Sequence, residues 1–212
     1  MRQTFVLLVI LFATAIASAD AAEIAVTVLD QHGRPASDAV ISLWPAEKGR
    51  LPSESAPEAH LIDQSNEAFL PFVTVMRRGD TVVFKNSDRT RHHVYSFSTV
   101  KPFELVLNPN EASQPLKFDQ SGIAAIGCNI HDKMLAYAFV TDTPWTTQTD
   151  AQGRGRVMKV PKGRYRAEVW HPRMDPDRPA PDQTVTIGAN ADASFHLNLL
   201  APPPTGGHRR HY

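Results

Sequence analysis

The residue pattern predicts an all-β fold built of sandwiches. Apolar residues come in strand-length runs, several of them alternating with polar ones. The 17 prolines and 11 glycines fall between those runs. No long segment repeats its apolar residues at helical spacing.

In chain order, residues 23–29 alternate, with Val26 and Val28 on one face. Asp30-Gln31-His32-Gly33 reads as a turn and 39–44 as the return strand, giving an N-terminal hairpin. Residues 47–58, rich in Pro, Ser and charge, read as a linker. A second block follows with strands expected at 69–76, 81–85, 94–97, 103–107, 116–118, 123–126 and 135–140. A third starts near Asp142. It has a turn at Asp150-Ala151-Gln152-Gly153, strands at 165–170, 183–187 and 193–199, and a Pro- and Asp-rich loop at 175–182. Residues 201–212, with three consecutive prolines and then Gly-Gly, read as a disordered tail.

With 42% hydrophobic and 21% charged residues the chain can build a proper core. Basic and acidic residues balance at 22 each, so no charge excess points to nucleic acid or an anionic membrane. Arg2, the apolar residues 5–17 and Ala17-Ser18-Ala19 have the form of a signal peptide, cleaved near Ala19. The apolar run is too short for a good membrane span. The expected product is a soluble, monomeric protein of the bacterial periplasm with no membrane span.

An exported chain with one cysteine cannot close an internal disulfide, so Cys128 calls for a reason. It could be an inert buried thiol, half of an intermolecular bridge, or a metal ligand. Its neighbours favour the last. Gly127-Cys128-Asn129-Ile130-His131-Asp132-Lys133-Met134 puts a thiolate, an imidazole and a thioether at Cys-x2-His-x2-Met spacing between two apolar strands. A tight loop there can turn all three toward one point. Two His and a Cys with a weak axial Met form the ligand set of blue-copper sites. Zinc could occupy Cys and two His, but Met is a poor zinc ligand. One more imidazole must come from elsewhere. Residues 84–94 offer His92 and His93 where a loop enters a strand, and adjacent strand residues face opposite sides. Only one of the two can point at the metal.

With these residues in place, the chain resembles the cupredoxins, blue copper proteins of the amicyanin and plastocyanin type. In that family an Asn-rich loop ends in His-Asn-Val, with the His as first ligand. His92-His93-Val94 matches with His92 in the ligand place, and Asn86 stands where amicyanin-like sequences also have Asn. The resemblance covers roughly residues 59–141. It implies one copper ion, Cu(I)/Cu(II), held by His92, Cys128, His131 and Met134. His93 departs from the pattern: relatives have there an Asn that steadies the ligand loop. Asp132 and Lys133 are charged where some relatives place a Pro and an aromatic.

The flanking blocks resemble one family split in two. Residues 26–35 with 38–43 look like the start of a carboxypeptidase-regulatory-like, or transthyretin-like, β-sandwich. Residues 149–153 with 160–165 look like its continuation. The expected layout is a leader at 1–19, a hairpin and linker at 20–58, a cupredoxin domain at 59–141, the rest of the regulatory-like sandwich at 142–200, and a tail. The Greek-key cupredoxin sandwich is then inserted into, or flanked by, the second one. The alternative is that the N-terminal hairpin extends the cupredoxin sheet.

The resemblance implies a carrier of single electrons, not an enzyme, with a c-type cytochrome or a periplasmic dehydrogenase as redox partner. The alternative is copper storage or delivery without redox turnover. His171, beside Pro172, is expected to be structural. His32, His60 and His196 are isolated and carry no assigned role, and His208 and His211 belong to a solvated basic tail that could pick up adventitious metal.

Overall fold

The computed structural model describes residues 22–47, 51–52, 56–131 and 133–201. The expected leader, nearly all of the expected tail, and Asp132 lie outside the described residues. The described chain is all-β, with sixteen strands in four sheets, and among the described residues no helix is long and apolar enough to cross a membrane.

Two hydrophobic cores organise it. The first joins strands from both ends of the chain. β1 (Ala22–Asp30) buries every second residue, Ile24, Val26 and Val28 among them. It pairs antiparallel with β13 (Arg154–Val160) and parallel with β16 (Asn190–Leu197). The facing sheet has the order β12 (Thr146–Gln148), β2 (Val40–Pro45), β14 (Gly163–Trp170), β15 (Asp182–Ile187), all antiparallel. Ile41 and Leu43 of β2 meet Tyr165, Ala167 and Val169 of β14 in this core.

β1 and β2 were expected to pair as a hairpin; they do not. They lie in different sheets that face each other. Both edges of β1 are taken by partners more than a hundred residues away, which leaves β2 to build the opposite layer. The arch between them is tied by Asp30. Its Oδ1 accepts the N–H groups of His32 (2.8 Å) and Arg34 (2.9 Å), and its Oδ2 accepts Arg34 Nε at 2.8 Å. These bonds overcome burial and bring the Asp30 carboxyl down to about 2.

The second core belongs to the block between β2 and β12. One sheet has the order β5 (Val73–Arg77), β11 (Leu135–Thr141), β10 (Gly122–Cys128), β7 (His92–Ser96), β8 (Phe103–Leu107). The other runs β4 (Ala68–Leu70), β3 (Ala59–Ser65), β6 (Thr81–Asn86), β9 (Leu116–Lys117). The chain crosses repeatedly between the two, and β5–β11 and β3–β6 are parallel pairs in sheets whose other pairs are antiparallel. Phe84 and Phe118 are fully buried between the sheets with Ile62, Val94 and Ile126. At about 1.5–3 kcal/mol for each buried side chain, they anchor the frame that carries the ligand loops. Because β2 and β12 are adjacent antiparallel strands, this block leaves and re-enters the first sandwich through a single strand pair.

The expected strand at 69–76 is two strands in two different sheets, β4 and β5, broken at the cis Leu70–Pro71 bond. Proline has no N–H for a ladder. β3, β12 and β13 were not anticipated. β3 buries only Ile62 and Gln64, and β13 carries charged residues between its inward ones, so neither shows an apolar alternation.

The sandwiches meet through aromatics. Tyr137 and Phe139, on the outer face of β11, pack on Trp170 of β14 with ring centroids 5.5 and 5.4 Å away.

Candidate metal centre

β7 enters its sheet at His92. Along it His92, Val94 and Ser96 are buried, while His93 and Tyr95 face outward. β7 also pairs with β10, placing Cys128 opposite Val94. The approach is close: a Cβ on Gly127 would come within 2.9 Å of the Tyr95 ring. His92 and Cys128 therefore point into the same end of the core, and His92 Nδ1 stands 3.6 Å from Cys128 Sγ. The two are 0% and 2% exposed.

The loop after β10 supplies the third group. Asn129 donates its N–H to His93 O (2.9 Å), and Met134 donates its N–H to His131 O (3.0 Å). The second bond closes a turn that returns the chain to β11. His131 and His92 rings lie 5.1 Å apart, tilted by 54°. One ligand atom from each of His92, Cys128 and His131 falls within 4.8 Å of the others. Met134 is buried in the same core cluster as Cys128.

His93 takes the other side. Its Nε2 pairs with Glu104 Oε1 at 2.7 Å on the outer face of the sheet. The choice left open between the two neighbours is thus resolved in orientation: His92 faces the thiol and His93 does not.

Hydrogen bonds fix the first imidazole. His92 Nε2 lies 2.9 Å from Asp88 Oδ2. Burial opposes ionisation of Asp88. The N–H of Glu67, the His92 imidazole and the N–H of Asn66 outweigh it and hold the carboxyl below its ordinary value. An ionised carboxylate only accepts, so Nε2 carries the proton and Nδ1 presents its lone pair to the sulfur. Buried Asn86 holds the loop that carries Asp88. Its Nδ2 donates to Thr90 O (2.9 Å) and Leu107 O (3.0 Å), and its Oδ1 accepts the Asp88 N–H (2.9 Å).

His131 is held differently. Its ring is 23% exposed, and Nε2 lies 3.7 Å from Glu67 Oε1. Its Nδ1 is buried with no hydrogen-bond partner. A buried ring nitrogen without a partner is costly unless something binds it. Together with a thiol and a second free imidazole lone pair, it fits a soft or borderline metal ion.

Glu67 and Asp88 were not legible as site residues. Asp88 lies four residues before His92, a spacing with no special meaning in a loop. Glu67 reaches the site through the two-residue turn between β3 and β4, where Asn66 and Glu67 have φ of 55° and 57°. This is the backbone of a type I′ hairpin turn. It costs a non-glycine residue such as Glu67 about 1–2 kcal/mol.

His171 is structural, as expected. It is buried, Nδ1 accepts the Arg173 N–H (2.9 Å), and Nε2 donates to Ser37 O (3.0 Å). Burial pushes its pKa down, so it stays neutral.

No protein-family model and no curated protein matches the chain. Solved structures similar to it include a Cu-containing nitrite reductase from Thermus scotoductus SA-01, at 24% identity over 46% of this chain and TM-score 0.35. This chain spans only 25% of that one. A purple cupredoxin from Nitrosopumilus maritimus is similar at 18% identity, covering 39% of this chain and 99% of its own, with TM-score 0.35. A Cu(I) methionine-to-alanine variant of amicyanin is similar at 19% identity, covering 49% and 99%, with TM-score 0.36.

Proposed function

We propose that the chain is a periplasmic mononuclear blue copper protein of cupredoxin type that carries single electrons. His92, Cys128 and His131 would hold the ion, with Met134 as the weak axial ligand. The observation that carries this reading is the convergence of a thiol and two imidazoles within 4.8 Å, one imidazole nitrogen buried without a partner. Copper bound there would supply a one-electron couple.

The chain's own residues would do the rest. Cys128, almost fully buried, keeps its sulfur from solvent and from other thiols. Asp88 orients His92 and fixes its tautomer. Asn86 keeps the upstream loop from moving when the charge of the site changes. His131 is the partly exposed imidazole and so the natural edge for electron entry and exit. Ile130 and Leu135, 45% and 38% exposed, offer apolar surface beside it. A small contact of that kind suits a brief redox encounter with a c-type cytochrome or a periplasmic dehydrogenase. The sandwich built on β1, β2 and β12 to β16 is read as carboxypeptidase-regulatory-like, with the copper sandwich (residues 59–141) inserted into it.

The test is to load the protein with Cu(II). An intense blue absorption and narrow copper hyperfine splitting are expected, and both should vanish in Cys128→Ser. A colourless protein that binds stoichiometric Cu(I) tightly would replace electron transfer by copper storage or delivery.

A further inference from the structure

Asp88 and the turn after β3 join the two imidazoles from outside the site. Asp88 uses both oxygens. Oδ1 accepts the Asn66 N–H at 2.6 Å, while Oδ2 accepts the Glu67 N–H at 3.0 Å and meets His92 Nε2 at 2.9 Å. One carboxylate therefore fixes an imidazole and a β-turn at once. That turn delivers the Glu67 carboxylate to 3.7 Å from His131 Nε2.

The backbone adds an independent observation. Glu67 adopts φ of +57°, a conformation glycine would take without strain. Local preference thus argues against Glu at this position, while contact with His131 argues for it. Backbone held in a sparsely populated region, next to a site, is where strain serves function.

We propose that the Asn66–Glu67 turn and Asp88 form one clamp on the metal centre, in which Asp88 positions His92 and Glu67 positions His131. The inference rests on the copper reading above. The Asp88 carboxylate is hydrogen-bonded to the outer nitrogen of one imidazole, and the Glu67 carboxylate lies 3.7 Å from the outer nitrogen of the other. Each stabilises the more positive Cu(II) state relative to Cu(I), and together they lower the reduction potential. They also place negative charge at the edge where a partner would approach, which favours a partner with a cationic docking face.

The experiment compares copper-loaded wild type with Asp88→Asn, Asp88→Glu, Glu67→Gln and Glu67→Gly. Asp88→Asn retains one acceptor oxygen for three donors, so it should lower Cu(II) affinity by about tenfold. Without an equal loss of Cu(I) affinity, that raises the potential by about 59 mV. Asp88→Glu should recover part of the loss. Glu67→Gly should melt at the same temperature as wild-type apoprotein or higher, yet raise the potential in the same direction as Glu67→Gln. A metal-free arm follows the apoprotein by NMR. There Asp88→Asn should speed amide exchange at Asn66 and Glu67 and mix the His92 tautomers. Unchanged potentials and affinities in Asp88→Asn and Glu67→Gly, beside a wild type that binds copper, would overturn the clamp and leave the copper reading standing. Unchanged amide exchange and tautomer in apo Asp88→Asn would overturn it irrespective of metal. A wild type that binds no copper would end the copper reading and the potential-tuning role together.

Discussion

Trp170 of β14 stands edge-on to Tyr137 of β11, with ring centroids 5.5 Å apart and planes at 68°. It also covers Phe139 at 5.4 Å. Tyr137 and Phe139 lie on the strand that follows the 129–134 loop, so this contact fastens the outer face of the 59–141 sandwich to its neighbour. Trp170→Ala removes two aromatic pairs, each worth about 0.5–1.5 kcal/mol beyond area burial. A loss of about 2 kcal/mol is expected in chemical denaturation. The sandwiches should unfold in more separate steps, and metal binding to the folded protein should not change.

Asn86 is buried and spends its amide on Thr90 O, Leu107 O and the Asp88 N–H. Asn86→Ala leaves those three backbone groups without their partner, at about 1–3 kcal/mol for each that stays unsatisfied. A drop of at least about 2 kcal/mol in urea melts is expected. Amide exchange should quicken across residues 87–91 before it does in β10 or β11.

His92 and His93 make a sharp pair. His92 faces Cys128 Sγ at 3.6 Å, while His93 faces Glu104 at 2.7 Å across the sheet. His92→Ala should abolish the blue absorption and cut copper affinity by orders of magnitude. His93→Ala should keep both and cost no more than the ~1 kcal/mol of an exposed ion pair. Equal spectra for wild type and His92→Ala would refute the proposed ligand set.

Asp30 sets an acid limit on the first sandwich. Its carboxyl is brought down to about 2 in the fold against 3.8 for the ordinary group. A depressed folded value means that Asp30 contributes its stability in full above pH ~4–5. The contribution declines as pH falls toward 2 and is absent below. Urea melts of wild type and Asp30→Asn should therefore differ at pH 6 and converge near pH 2. A gap that stayed constant between those pH values would show that the charge of Asp30 is not what holds the 31–34 arch.

Part of this molecule is local in origin. Cys128, His131 and Met134 sit within seven residues, so chain geometry alone can bring them near one point, and their residue types name the chemistry. The strands with apolar alternation, such as β1 and β14, were legible because one buried face dictates a period of two. The same rule implies that only one of His92 and His93 can face the Cys128 side of the strand.

Tertiary structure decided what depends on distant partners. Which face of β7 looks inward was set by its place in the sheet between β10 and β8, and this turned His92, not His93, toward Cys128. β1 and β2 entered opposite sheets because their best partners, β13, β16, β12 and β14, come from the far end of the chain. β3 has only Ile62 and Gln64 inside, and nothing in its residues announces a strand until β6 lies parallel beside it. Asp88 and Glu67 became neighbours of the imidazoles only when the β3–β4 turn closed on the 86–92 loop. Sequence fixes the short-range supply of donor atoms and the periodicity of each strand. The choice among long-range pairings depends on how all the apolar faces are buried at once, and no single segment carries that information.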